Sequence, residues 1–195
     1  MIKKNLSIEV TYLAGGCYWG LESLIGQISG IEETQVGFSG GFINDVTYND
    51  VSSGNTGHAE TIMIKFDPNQ LSFENLLIEF FKLHNPTTPN QQGNDIGSQY
   101  RSSIFYTSPN QKEIAEDVIQ RVEISKHWEQ KVVTEIIAFD KFYPAEEAHQ
   151  KYLIKNPSGY SCHFKRNFKF LEFLLLLISI YRRFFYFLPY TTLYH

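Results

Sequence analysis

Short apolar segments with strand-like alternation take turns along this chain with segments of helical periodicity. That order restricts the fold more than any other feature of the sequence. Ile8 to Leu13 is rich in β-branched and aromatic residues and runs into Gly15-Gly16, as a strand does. From Cys17 on, apolar residues at Trp19, Leu21, Leu24, Ile25 and Ile28 fall on one face of a helix that the spacing carries to near Gly30. Ile31 to Phe38 reads as a second strand, and Ala59 to Phe66 as a third, half-buried one that Asp67-Pro68 ends. Ser72 is placed to cap an amphipathic helix reaching Leu83, with Leu76, Leu77, Phe80 and Phe81 facing inward. Ser102 to Tyr106 is another strand. Ser108 heads a helix to about Lys126, with Pro109 in its first turn and Gln111 at the capping-box position. Val132 to Phe139 reads as the last strand and Ala145 to Asn156 as a final short helix. This order predicts a two-layer α+β domain, a mixed β-sheet with helices packed on it.

The 195 residues suffice for one domain with a real core. A net charge of −4, with no basic run interleaved with aromatics before residue 160, argues against nucleic acid as a partner. Two cysteines, Cys17 and Cys162, suit a reducing, cytoplasmic compartment better than a disulfide-stapled secreted one. The start, Met1-Ile2-Lys3-Lys4 followed by Asn5-Leu6-Ser7-Ile8-Glu9-Val10, lacks the unbroken apolar stretch of a signal peptide.

Two long polar loops, Asn44 to His58 (with room for one short helical turn) and Asn85 to Tyr100, stand out, because loops of that length in a small domain tend to carry function. The Gly15-Gly16-Cys17 step sits between a strand and a helix N-terminus. Unpaired N–H groups there are expected to lower a thiol's pKa, and the glycines leave room for a substrate. The alternative for Cys17 is an inert core cysteine. Tyr18 and Trp19 point in different directions, so at least one is expected near the sulfur as an apolar wall. Glu60, where the first loop meets the sheet edge, is a candidate carboxylic acid with a raised pKa; taken alone, an exposed strand-end glutamate is the better reading. His58 is its rival, or a loop hydrogen bonder. His58, His84, Asp95 and Cys17 lack any close pair at zinc-ligand spacing, so no metal is expected. A Cys/His hydrolase set remains open from composition alone.

Five blocks then meet in one order: Gly16-Cys17-Tyr18-Trp19-Gly20, Val36-Gly37-Phe38-Ser39-Gly40-Gly41, Thr47-Tyr48, Ser53-Gly54-Asn55-Thr56-Gly57-His58-Ala59-Glu60 and Gly93-Asn94-Asp95-Ile96-Gly97-Ser98-Gln99-Tyr100-Arg101-Ser102. Together they resemble the peptide methionine sulfoxide reductase A family, over roughly Val10 to His163. The resemblance implies an α+β, ferredoxin-like fold and a reductase of the S epimer of methionine sulfoxide, free or in proteins. It implies that Cys17 attacks the sulfoxide sulfur while Glu60 protonates the oxygen. Tyr48 and Tyr100 hydrogen-bond that oxygen, Asp95 holds the polar loop and a water, and Tyr18 (usually Phe in the family) and Trp19 cradle the methyl group. Cys17 is left as a sulfenic acid, which Cys162 resolves as a disulfide that thioredoxin reduces, with no bound cofactor. A mobile Gly-containing tail around Cys162 is expected, because the two sulfurs must come to about 2 Å to bond.

Three departures from the family pattern stand out. Ser52 occupies a position where many members carry a further cysteine, which leaves Cys162 as the resolver. Ala148 replaces a usual tyrosine and is expected to loosen packing beside the last helix. Residues 164–195 have no recognised counterpart and read as an apolar, aromatic-rich extension without a catalytic role, after a catalytic domain of residues 1–163. The apolar run in that extension is too short for a membrane span but mixes basic and aromatic residues as an interfacial anchor does. A membrane-associated binding protein is therefore the rival from outside enzymology.

Overall fold

Ala59–Phe66 is buried along nearly its whole length, and a segment of that kind belongs inside a sheet rather than at its rim. In the computed structural model, which describes residues 7–168, this strand (β3) lies between β1 (Glu9–Gly15) and β2 (Ile31–Ser39), antiparallel to both. β6 (Ser102–Tyr106) adds antiparallel to β1, and β7 (Glu135–Ala138) adds parallel to β6. β8 (Phe142–Pro144) closes the other edge against β2. The sheet order β7-β6-β1-β3-β2-β8 is therefore mixed.

Helices α1 (Tyr18–Ile25), α3 (Phe73–Leu83) and α4 (Pro109–Ile124) bury their apolar stripes together against the sheet. Leu13, Val36, Ile62 and Ile64 of the strands meet Leu21, Ile25, Leu76, Leu77 and Phe80 in one core. Each such side chain contributes about 1.5–3 kcal/mol by leaving water. A second, smaller cluster of Ala14, Ala59 and Phe105 lies apart from that core, with Tyr12 stacked on Phe139 at 3.8 Å between ring centroids.

The helix starts follow their expected chemistry. Ser72 Oγ accepts the Asn75 amide at 3.1 Å, and Ser108 Oγ accepts the Gln111 amide at 3.2 Å. Gln111 reaches back to the Thr107 amide, one residue before the cap (3.0 Å). The first long loop holds the short helix α2 (Tyr48–Ser52), capped reciprocally by Thr47 and Asp50. The second holds a two-residue hairpin, β4 (Gln91–Gln92) with β5 (Asp95–Ile96), and a 3-10 turn at Ser98–Tyr100.

Several expected boundaries shift. α1 stops at Ile25, because Gly26 caps it and the chain then closes into tight turns toward Gly30. β8 is unforeseen: three residues are too few for a periodicity, and its proline is tolerated at a sheet edge. The expected helix from Ala145 shrinks to α5 (Tyr152–Lys155), since tertiary bonds hold the preceding residues out of helical geometry. Gln150 bonds both the amide and the carbonyl of Val36 at 2.9 Å each, while the Lys151 amide donates to buried Glu22 at 3.0 Å. Lys151 accordingly takes φ +54°. Ala148 is exposed in these turns, so its small side chain leaves no gap in the core.

Residues 164–168 lie across the body of the domain. The Arg166 amide donates to the Lys82 carbonyl (2.9 Å), and its guanidinium sits 4.4 Å from the Phe164 ring centre and 5.3 Å from that of Trp128. The rest of the apolar extension, residues 169–195, falls outside the described residues. Among the described residues no helix is long and apolar enough to cross a membrane.

Candidate active site

Cys17 caps the N-terminus of α1, directly beyond the end of β1. The turn that delivers it requires glycine at residue 16, where φ is +96° and an added Cβ would lie 2.5 Å from the Gln92 side chain. Glu60 stands on β3, and the antiparallel pairing of Leu13 with Ile62 carries it to the same end of the sheet. The Tyr18 amide, one of the free donors of the helix start, binds Glu60 Oε2 at 3.0 Å.

Both groups are buried, Cys17 at 7% and Glu60 at 3% exposure, and burial dominates their electrostatics. Glu60 was expected at a sheet edge and lies instead on an interior strand, paired with Phe38. Desolvation pushes its carboxyl up to about 8, against the lowering effect of the Tyr18 amide, so the acid keeps its proton at neutral pH. Helix-start geometry was expected to lower the Cys17 thiol. Burial, and next the Glu60 carboxyl, raise it well above the usual thiol range, and a hydrogen bond from the Trp19 amide offsets only part of this. The sulfur is therefore a neutral thiol beside a neutral acid, a pair able to exchange a proton when substrate enters.

Tyr48 opens α2 and Tyr100 ends the 3-10 turn. Burial and then Glu60 raise both phenols, so each remains a hydrogen-bond donor. Tyr18 is buried at 1% exposure with its ring against Phe38 (5.9 Å), whereas Trp19 is only half-buried. The Trp19 indole stacks on Tyr152 at 3.9 Å and donates from Nε1 to His149 Nδ1 at 3.2 Å. The His149 ring in turn lies 4.3 Å from that of Tyr48. An aromatic wall, Tyr48-His149-Trp19-Tyr152, thus stands beside the thiol and the acid. His149 and Tyr152 were not foreseen, because the turns that bring them to α1 leave no periodic signal.

Cys162 approaches from the far end of the chain. Its sulfur faces the backbone N–H of Cys17 and the carboxyl of Asp95, and burial followed by Asp95 pushes its thiol up to about 12. Tyr160 donates to Asp95 Oδ1 at 3.1 Å. The expected mobile tail is docked: Gly20 of α1 lacks the Cβ that would collide with Ser161 Oγ and His163 Nδ1 at 2.5 and 2.8 Å. Both cysteines are free thiols.

The histidines weighed earlier are engaged elsewhere. His58 accepts the Gly41 amide at Nδ1 (3.2 Å) and donates from Nε2 to Ile43 O (2.8 Å), which ties the loop. His84 bonds Phe80 O and Ser102 Oγ at 2.9 and 2.8 Å, and burial lowers it to about 3. Neither is bonded to Cys17, as a Cys/His hydrolase would require. Among the described residues no three His, Cys, Asp or Glu side chains converge to hold a metal ion.

Two thiols at one helix start, one of them next to a proton-bearing carboxyl, are the groups that a thiol-based oxidoreductase uses. Comparison with known proteins narrows the class. Residues 9–175 match the family model described as peptide methionine sulfoxide reductase. A relative from Mesorhizobium japonicum, peptide methionine sulfoxide reductase MsrA 1, is 49% identical over 160 residues, covering 82% of this chain and 91% of the relative. The crystal structure of Mxr1 from Saccharomyces cerevisiae in reduced form superposes with a TM-score of 0.77 at 35% identity, over 82% of this chain and 93% of that one. The same yeast protein in complex with Trx2 shares the fold at a TM-score of 0.56 and 21% identity, over 86% and 96% of the two chains. The chain belongs to the peptide methionine sulfoxide reductase family.

Proposed function

We propose that this chain reduces the S epimer of methionine sulfoxide, free and within peptides or proteins, to methionine. The observation that carries the reading is Glu60, a buried carboxyl with its pKa near 8, hydrogen-bonded to the amide that follows Cys17. A sulfoxide is a poor electrophile until its oxygen is protonated, and this is an acid that still has a proton to give at neutral pH.

In this reading the substrate methyl group rests against Trp19 over a floor of Tyr18, and the sulfoxide oxygen points at Glu60, Tyr48 and Tyr100. Cys17 sulfur attacks the substrate sulfur. The oxygen takes the Glu60 proton, and the Cys17 thiol proton replaces it on the carboxyl. The bond formed between the two sulfurs and the substrate S–O bond then both break as the hydroxyl passes to Cys17 and its S–O bond forms. The electron pair of the S–S bond stays on the methionine sulfur. Methionine leaves and Cys17 is a sulfenic acid, so no net proton is consumed. Cys162 then displaces the oxygen as water to give a Cys17–Cys162 disulfide, with Asp95 holding the loop beside it. The disulfide is reduced by thioredoxin; the complex of yeast Mxr1 with Trx2 supports that assignment. The reductant is thus a protein partner rather than a bound cofactor, and the site of action is the cytoplasm, in keeping with a chain of only two cysteines.

The inner strands β6-β1-β3-β2 with the crossovers α1 and α3 follow a βαββαβ path, which supports a ferredoxin-like classification. The catalytic domain is assigned to residues 1–163, and residues 164–195 to an extension without a catalytic role.

The test is stereochemical. Given racemic methionine sulfoxide and a thiol reductant, the protein is expected to consume half of the sulfoxide and leave the R epimer. Consumption of both epimers, or of R alone, contradicts the reading.

A further inference from the structure

His163 adjoins Cys162 in sequence and occupies the gap between the two cysteines' segments. It is buried, and its Nε2 lies 2.7 Å from the Gly15 carbonyl oxygen. A carbonyl can only accept, so Nε2 carries the hydrogen and Nδ1 is left with a bare lone pair. That lone pair faces Cys162 Sγ at 3.3 Å. The ring is therefore held in one tautomer by the strand that ends at Cys17, with its basic nitrogen aimed at the second thiol. Gly16 and Gly20 make the space: a Cβ on either would press on the His163 ring, at 3.3 and 2.8 Å respectively.

The second thiol needs such a partner. Burial and the neighbouring Asp95 carboxylate oppose ionisation of Cys162, yet only a thiolate attacks a sulfenic acid efficiently. The groups facing His163 are Cys162, Arg166, Asp95 and His84. Burial first, and Arg166 after it, hold the imidazole below its usual pKa against the opposing pull of the Gly15 carbonyl and Asp95, so the ring is neutral and basic at pH 7.

We propose that His163 is the general base of the resolving step, taking the Cys162 proton as that sulfur attacks oxidised Cys17. The proposal rests on the reading of Cys162 as the resolving cysteine. The Cys162 S–H bond breaks and a proton passes to Nδ1. The S–S bond forms as the S–O bond of the Cys17 sulfenic acid breaks, and the hydroxide leaves with the imidazolium proton as water. Cys17 sulfur is reduced by one electron equivalent and Cys162 sulfur oxidised by one, so no external reductant enters this step.

The test is His163→Gln, whose amide nitrogen can keep the bond to Gly15 O while presenting no base to Cys162. One equivalent of methionine S-sulfoxide is added in the presence of dimedone, a carbon nucleophile that captures sulfenic acids, and disulfide and adduct are measured by mass spectrometry. The wild type is expected to give disulfide. His163→Gln is expected to give one methionine per protein but chiefly the Cys17 adduct, with disulfide formation slowed about 100-fold. Disulfide in wild-type proportion in that variant overturns the base assignment alone. Disulfide-dependent turnover surviving Cys162→Ser overturns the resolving reading beneath it. Should His163→Gln make no methionine, the wild-type rate at which the Cys17 sulfenic acid already formed converts to disulfide, resolved in time from the preceding methionine burst, decides. It is flat between pH 7 and 9 with a neutral imidazole as base; a tenfold rise per pH unit over that range means an unassisted thiol and overturns the proposal.

Discussion

The Tyr18 amide donates to Glu60 Oε2 across 3.0 Å, joining the first turn of the helix that carries Cys17 to the interior strand that carries the acid. The proposed nucleophile and acid are thereby fixed on two rigid elements rather than on loops. Their separation depends on the register of β1 against β3 and on one hydrogen bond within the pocket. Burial of that carboxyl supplies the property the proposed chemistry needs, a proton retained near pH 7.

Glu60→Gln keeps the shape and removes the transferable proton. The rate of methionine formation in a single turnover is expected to fall about 10²- to 10³-fold, measured by rapid quench. Near-normal rates would assign the proton to another donor.

The pH dependence follows from the direction of the Glu60 shift. Its pKa is raised to about 8, so the acid form is present below that value and is lost as pH rises through it. Methionine formation by the wild type is expected to decline above about pH 8, and this alkaline limb is expected to vanish in Glu60→Gln. The same limb persisting in the variant would place the titration elsewhere.

Cys162→Ser removes the second thiol and leaves the first step its reactants. One methionine per protein is expected, followed by arrest when thioredoxin is the only reductant. Sustained thioredoxin-driven turnover would show that Cys17 is recycled without Cys162.

Glu22 anchors the segment that bears the aromatic wall: it accepts from the Lys151 amide and Nζ at 3.0 Å each and from Thr34 Oγ1 at 3.0 Å, while only 3% exposed. Glu22→Ala is expected to destabilise the fold by about 2 kcal/mol in urea unfolding, because buried donors lose a charged acceptor. A loss below about 0.5 kcal/mol, the size expected of a surface change, would mean that Gln150 alone holds the segment.

The strands and helices that lie in the sequence as whole periodic units were legible there: Ala59–Phe66 and Ser102–Tyr106 coincide with β3 and β6, and Ser72 and Ser108 cap their helices. The stretch from residue 140 to 156 was not, because Gln150 and Lys151 obey Val36 and Glu22, which are more than a hundred positions away in the chain. Cys17 and Glu60 could be singled out as candidates from Gly-Gly-Cys and the loop before β3, and the fold brings the two together. Their electrostatics were not legible, since a helix N-terminus predicts a lowered thiol and only the folded core reveals that burial outweighs it. His163 was visible as the neighbour of Cys162, but its role depends on Gly15, 148 positions earlier.

The two-cysteine cycle is tested most directly by counting thiols before and after one equivalent of methionine S-sulfoxide, with no reductant present. The reduced protein contains two cysteines, Cys17 and Cys162. The account predicts one methionine formed, both thiols lost and a Cys17–Cys162 disulfide in the peptide map. Methionine formed with the Cys162 thiol still free, or a sulfoxide left unreduced, would contradict it.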